Sequence, residues 1–156
     1  MKNQWIVPDI HGHLKTLKFL IEDRIALSKS DSIYFLGDYI DRGPDSKGVI
    51  DFIMNLQNSG YDVHCIRGNH EDYCIRAWES DQNCFLFRSK IEKDWRKNGA
   101  LRTLQSFGVK RPREIEQRYI DWMKQTEYYV ELDDYILVHA GFNFKIKNPL
   151  EDVISM

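Results

Sequence analysis

Nine residues in this sequence of 156 have the types and spacing to do chemistry: Asp9, His11, Asp38, Asp41, Arg42, Arg67, Asn69, His70 and His139. Each lies just beyond a short apolar run. In FLGDYIDRG, residues 35–43, such a run leads into two carboxylates three residues apart and a guanidinium, with glycines on both sides. The stretch WIVPDIH ends in an acid and an imidazole, CIRGNH in a carboxamide and an imidazole, and YILVH in another imidazole. Carboxylate oxygen, amide oxygen and imidazole nitrogen, with no thiolate among them, form a donor set for Mn, Fe, Ni or Zn rather than for a soft metal or an iron–sulfur cluster.

For these groups to meet, the apolar runs must be strands whose ends lie side by side. Residues 5–7 form a brief apolar segment closed by Pro8, and Leu14, Leu17, Leu20, Ile21 and Ile25 space a helix over 13–27. The strand signal returns over 32–36, followed by helical spacing over 47–58 that Gly60 ends, and again over 61–66, followed by a helix over 70–78. Three β-then-α units in series predict a parallel, right-handed α/β core with ligands at the carboxyl ends of the strands. Adjacent strand ends are about 5 Å apart, so donors remote in sequence converge there without long side chains. From about 80 to 126 no strand signal occurs. Two amphipathic stretches, 91–107 interrupted by Gly99 and 112–124 with Pro112 at the first helical position, predict a helical insertion over the site. Runs 128–132 and 135–138 around Asp133-Asp134 predict a hairpin that delivers His139 to a strand end.

Composition bounds the remaining choices. The length suits one domain, residues 1–156, with no linker dividing it. A net charge of −2 gives no global attraction to nucleic acid or to an anionic membrane. No run approaches the roughly 18 apolar residues of a membrane span, and the first residues lack a signal-peptide core, so a cytoplasmic location is expected. Cys65, Cys74 and Cys84 are odd in number and without CxxC spacing, and read as reduced, packed thiols. Taken singly, Asp9 or Asp38 would be a turn former or helix cap; only the constellation lifts them above that. His13 and His64 read as packed or solvated, Trp78, Trp95 and Trp122 as packing residues, and Lys110-Arg111-Pro112-Arg113 as a solvated loop.

Together, DIHG at 9–12, GDYIDRG at 37–43, RGNHE at 67–71 and HAG at 139–141 resemble the successive signature motifs of the calcineurin-like metallophosphoesterases, in the phosphoprotein (serine/threonine) phosphatase branch. The resemblance implies an αββα sandwich and two divalent metal ions, with Mn expected first and Fe, Zn or Ni as alternatives. Asp9 and His11 would bind one ion, Asn69 and His139 the other, and Asp38 would bridge them. A metal-bridging hydroxide would attack phosphorus directly. His70 would protonate the departing alkoxide, Asp41 would orient His70, and Arg42 and Arg67 would grip phosphate oxygens; Glu71 is left as a first-turn acid.

Substrate signals point two ways. RGNHE with Glu71 resembles protein phosphatases, whereas HAG resembles hydrolases of symmetrical dinucleoside tetraphosphates, so the expected partner is a phosphorylated protein or a small phosphoester or nucleotide. Pro8 departs from the small residue usual before the DxH aspartate. Relatives also continue past HAG into a strand with a further phosphate-binding arginine and a Gly-His motif completing the second metal site, whereas no histidine follows His139 here. The expectation is a C-terminally truncated chain, its sandwich incomplete at that end, with weak or absent catalysis and a tendency to associate. The alternatives are a water or His13 filling the gap, or a catalytically impaired module that kept its phosphate pocket.

Overall fold

The computed structural model describes residues 2–82 and 87–151; Cys84 and residues 152–156 lie outside the described residues. Strands β1 (Gln4–Val7), β2 (Ser32–Phe35) and β3 (Asp62–Cys65) form a parallel sheet in that order. Val7 pairs with Phe35 and Phe35 with Cys65, so all three strands end level with one another. Helix α1 (Leu14–Lys18), which widens into a π-helical stretch over Phe19–Ile25, links the first pair, and α2 (Ser46–Asn58) the second. Helix α3 (Asn69–Gln82) leaves β3. Beyond it come α4 (Lys90–Lys97), α5 (Ala100–Phe107), a single 3-10 turn (Pro112–Glu114) and α6 (Gln117–Gln125). An antiparallel hairpin of β4 (Tyr129–Glu131) and β5 (Ile136–Val138) follows. A parallel bridge between Ile66 and Glu127 ties the hairpin's approach to the exit of β3.

The alternation of β2 explains the layering. Ile33 and Phe35, both fully buried, face the helices and pack with Val49, Ile50 and Ile53 of α2. Tyr34, between them, faces the other way and packs with Ile66 and with Leu137 of the hairpin. Alternate residues on the two faces of a strand covered on both sides give this pattern, and burying such side chains is worth about 1.5–3 kcal/mol each. The result is helices on a parallel sheet on a hairpin, the mixed α/β architecture that the β-then-α series predicts.

Two sequence expectations change in the helical segment. Pro112 opens the 3-10 turn instead of a helix running to 124, and α6 starts only at Gln117. The reason is Ile115: it is buried at 2% exposure, its backbone is extended, and its carbonyl accepts the Trp78 indole N–H at 3.1 Å. Burying that side chain takes the chain out of helical geometry. Nor is 110–113 simply a solvated loop, because Arg111 pairs with the buried carboxylate of Asp81. Gly99 breaks 91–107 as expected and has a second role. At φ 109° it occupies a conformation costly for other residues, and a Cβ there would sit 2.9 Å from the Arg42 nitrogen, so its bareness lets α4–α5 close onto residues 41–42. Cys65 and Cys74 are buried free thiols, and burial pushes the Cys65 thiol up to about 12.

Candidate active site

The chain leaving β1 runs alongside the chain leaving β2. The Ile10 and His11 amides both donate to the Asp38 carbonyl (3.1 and 2.8 Å), and the Gly12 amide donates to the Tyr39 carbonyl (2.8 Å). Among the described residues, four of the five non-glycine positions with positive φ lie in these two exits: His11, Asp38, Asp41 and Arg42. Such backbone costs of order 1–3 kcal/mol per residue and persists only where surrounding bonds over-determine it. Here Glu71 does much of the holding. Its fully buried carboxylate accepts the amides of Asp38 (2.9 Å), Tyr39 (2.9 Å), Ile40 (3.3 Å) and Gly68 (3.0 Å). Burial, and then the nearby Asp38 charge, push this carboxyl up to about 8, while the amides of Gly68 and Asp38 pull it down. Glu71 is therefore far more than a first-turn acid. Gly37 permits the close approach of the third exit, since a Cβ there would lie 2.6 Å from the Gly68 nitrogen and 2.9 Å from His139 Nδ1.

These exits bring Asp9, His11, Asp38, Asn69, His70 and His139 to one place. His11 Nε2 lies 3.5 Å from one Asp38 oxygen and 3.8 Å from Asp9. His139 Nε2 lies 3.5 Å from the other Asp38 oxygen and 3.1 Å from Asn69 Oδ1. Asp38, 3% exposed, thus stands between two groups of donors. Asp9, Asp38 and His139 offer ligand atoms within 4.8 Å of one another, as do His11, Asp38 and His70.

The histidine bonding shows that these residues fit a cation. His11 Nδ1 is 2.9 Å from the Ile40 carbonyl and His139 Nδ1 is 2.8 Å from that of Leu36. A carbonyl only accepts, so Nδ1 carries a proton in both rings, and in the neutral imidazole the lone pair is then on Nε2. That lone pair on His11 is buried and has no hydrogen-bond partner, and that on His139 faces the Asn69 oxygen. Lone pairs aimed at one another in a partly buried site repel unless a cation lies between, and anchoring the other ring nitrogen on a carbonyl is how metal-ligating histidines are commonly set.

Beside this centre, His70 is 1% exposed. Its Nδ1 lies 2.7 Å from Asp41 Oδ2, and its Nε2 lies 3.8 Å from Asp38 and 3.2 Å from the Arg42 guanidinium. Burial opposes a charge on His70, but the hydrogen bond it donates to Asp41 and the charges of Asp38, Asp41 and Glu71 outweigh it and raise its pKa. Asp41 is saturated: the Trp95 indole N–H (2.7 Å) and the Thr103 hydroxyl (2.5 Å) also donate to it. Sequence reading missed Trp95, Thr103 and the amide-holding role of Glu71. No local spacing links Asp41 to a residue 62 positions away.

Arg67 was expected to grip phosphate beside Arg42; in this structure its guanidinium is engaged with other partners. It donates to the Lys124 carbonyl (2.5 Å), Thr126 Oγ1 (3.2 Å) and the Tyr128 hydroxyl (2.9 Å), and stacks over the Tyr128 ring at 4.7 Å. It fastens the run between α6 and β4 to the end of β3. Arg42, exposed, keeps its fork at the site. His13 bonds the Ile10 carbonyl (3.1 Å), and His64 stacks on Tyr34 and bonds Asp62 (3.1 Å).

A symmetrical bis(5'-nucleosyl)-tetraphosphatase of Pseudomonas putida (strain F1) is 28% identical over 140 residues, 88% of this chain and 41% of its own length. Serine/threonine-protein phosphatase 2 of Escherichia coli K12 is 35% identical over 83 residues, 53% of this chain and 36% of its own. The chain thus spans about two-fifths of the length of the curated relatives it matches. A crystallised protein provisionally called a diadenosine tetraphosphatase superposes with a TM-score of 0.64 at 18% identity, covering 97% of this chain and 59% of that one, and shares the fold. Among the described residues no helix is long and apolar enough to cross a membrane. The family model for calcineurin-like phosphoesterases matches residues 3–154, and the chain belongs to that family.

Proposed function

We propose that the protein is a metal-dependent phosphoester hydrolase whose substrates are symmetrical dinucleoside tetraphosphates. The observation that carries the chemistry is the position of Asp38, which turns one oxygen to His11 and the other to His139. Asp9 and His11 would hold one divalent ion, Asn69 and His139 a second, and Asp38 both; Mn²⁺ is the ion we propose. When bound, the ions supply positive charge that draws phosphate oxygens in and makes a water acidic enough to attack phosphorus. The substrate reading draws on the tetraphosphatase similarity over 88% of the chain.

The protein's own groups do the rest. Arg42 presents a planar pair of donors to phosphate oxygens and stabilises the charge that grows on them. At rest the same guanidinium donates to His70 Nε2. A phosphate that engages Arg42 releases that nitrogen to take up a proton from water, and the imidazolium passes it to the leaving oxygen while Asp41 fixes the ring through Nδ1. Glu71 keeps the β2 exit in its strained form, and Arg67 braces the neighbouring chain. A second reading, hydrolysis of phosphoserine or phosphothreonine in proteins, draws on the 35% identity to the Escherichia coli phosphatase.

The test is turnover of diadenosine tetraphosphate, a phosphoserine peptide and p-nitrophenyl phosphate with Mn²⁺. We expect Mn²⁺-dependent release of ADP that chelation and Asp38→Asn both abolish. Preference for the peptide would replace the substrate reading by the second one. Turnover of none, with phosphate binding retained, would overturn hydrolysis in favour of a phosphate-binding module.

A further inference from the structure

We propose that Trp95 and Thr103, delivered by α4 and α5, are positioning residues that act through Asp41 to fix the ring of His70. The inference deepens the hydrolase reading, since it concerns the group that would protonate the leaving oxygen. Asp41 and Thr103 have no solvent exposure, nor has Trp95. One Asp41 oxygen is shared by His70 Nδ1–H and the Trp95 indole N–H, both at 2.7 Å, and the other accepts the Thr103 hydroxyl at 2.5 Å.

Proton counting fixes the direction of every bond. A hydroxyl has one proton, and that of Thr103 goes to Asp41; the 3.0 Å contact between Thr103 and Ser46 is therefore donated by Ser46. The Asp41 amide closes the circuit by donating to Ser46 Oγ (3.1 Å) and Thr103 Oγ1 (2.9 Å). Every donor in the set is used, and the carboxylate has no room to turn. With both Asp41 oxygens already accepting hydrogen bonds, the proton shared with His70 stays on Nδ1 and the ring plane is set. Asp41 itself sits at φ 71°, a conformation that relaxes once its bonds are removed. A side chain held by only one of its partners would swing, and the imidazole would follow it. The helical segment between α3 and the hairpin is thus part of the proton-transfer apparatus, reaching in from 54 and 62 residues away.

The experiment compares wild type with Thr103→Val, Thr103→Ser and Trp95→Phe by NMR of the metal-free protein, following the His70 Nδ1–H proton, which His70→Gln assigns. We expect a downfield, slowly exchanging signal in wild type, its loss or broadening in Thr103→Val or Trp95→Phe, and its return in Thr103→Ser. An unchanged signal in both Thr103→Val and Trp95→Phe overturns the proposal, as does equal loss in Thr103→Ser, which marks packing rather than the hydroxyl. If Trp95→Phe does not fold, the Thr103 pair decides. In turnover, Thr103→Val should slow release of an alkyl alcohol about tenfold yet alter release of p-nitrophenolate, which needs no proton, by less than about threefold. The NMR signal is read without metal or substrate, so failure of the hydrolase reading leaves the positioning result standing, and the reverse holds too.

Discussion

Aspartates stand at both ends of the three-stranded sheet, and Asp31 and Asp62 at one end are treated in the opposite way to Asp9 and Asp38 at the other. At the amino ends of the strands, Asp31 accepts the amides of Asn3 (3.0 Å) and Ser28 (3.2 Å) and the Ser28 hydroxyl (2.9 Å). Asp62 there accepts the Ser32 hydroxyl (2.5 Å) and the Lys2 ammonium (3.0 Å). At the carboxyl ends, Asp38 receives the His70 amide (3.2 Å) but otherwise faces the Nε2 lone pairs of His11 and His139, and Asp9 is left 53% exposed. The same residue type closes the structure at one end and leaves it chemically incomplete at the other. Acceptors that face acceptors mark where a ligand belongs; acceptors that face donors mark a finished scaffold.

That contrast is open to attack, most forcefully at its centre. Asp38→Asn removes the charge both donor groups share, so calorimetry should show Mn²⁺ binding lost at both positions; retention of one ion would break the bridging assignment. Glu71→Gln comes next. A carboxamide offers one oxygen to four amide donors, and leaving buried donors unpaired should destabilise the fold by about 3 kcal/mol in denaturant titration, more than any change at the sheet's other end. Separating the two arginines sharpens the picture further. Arg67→Ala should cost about 1–2 kcal/mol of stability with little change in phosphate affinity, and Arg42→Ala should weaken phosphate binding with little change in stability. The smallest effect belongs to Asp62. Hydrogen bonds from Ser32, then Lys2, lower its carboxyl from 3.8 to about 2. A depressed acid adds stability above its unfolded value, and that stability is lost as pH falls through its folded one. Thermal melts of wild type should therefore decline more steeply than those of Asp62→Asn between about pH 4 and 2.

What the sequence made legible follows from the range of each interaction. Asp9, His11, Asp38, Asn69, His70 and His139 were readable because each follows its strand by a few residues; parallel pairing with level ends does the rest for the first five, and the hairpin brings in His139. Helix boundaries set by local residues were readable too: Gly60, at φ 79°, lies just past the end of α2, and Gly99 divides α4 from α5. The partners of Arg67 were not legible because direction, not position, decides them, and its direction is fixed by Thr126 and Tyr128 some 60 residues on. The failure of the helix at Pro112 has the same origin, since burial of Ile115 against distant partners overrides a sound local start. Trp95 and Thr103 lay beyond local reading for that reason as well.

One consequence concerns the main chain between Leu36 and Ile40. Its carbonyls at 36 and 40 anchor the two imidazoles, while its amides at 38, 39 and 40 end on Glu71. An ion held at this centre would therefore be thermodynamically linked to the local unfolding of this five-residue span. Filling the centre should deepen hydrogen-exchange protection at those three amides, while the strand's opposite end registers little change.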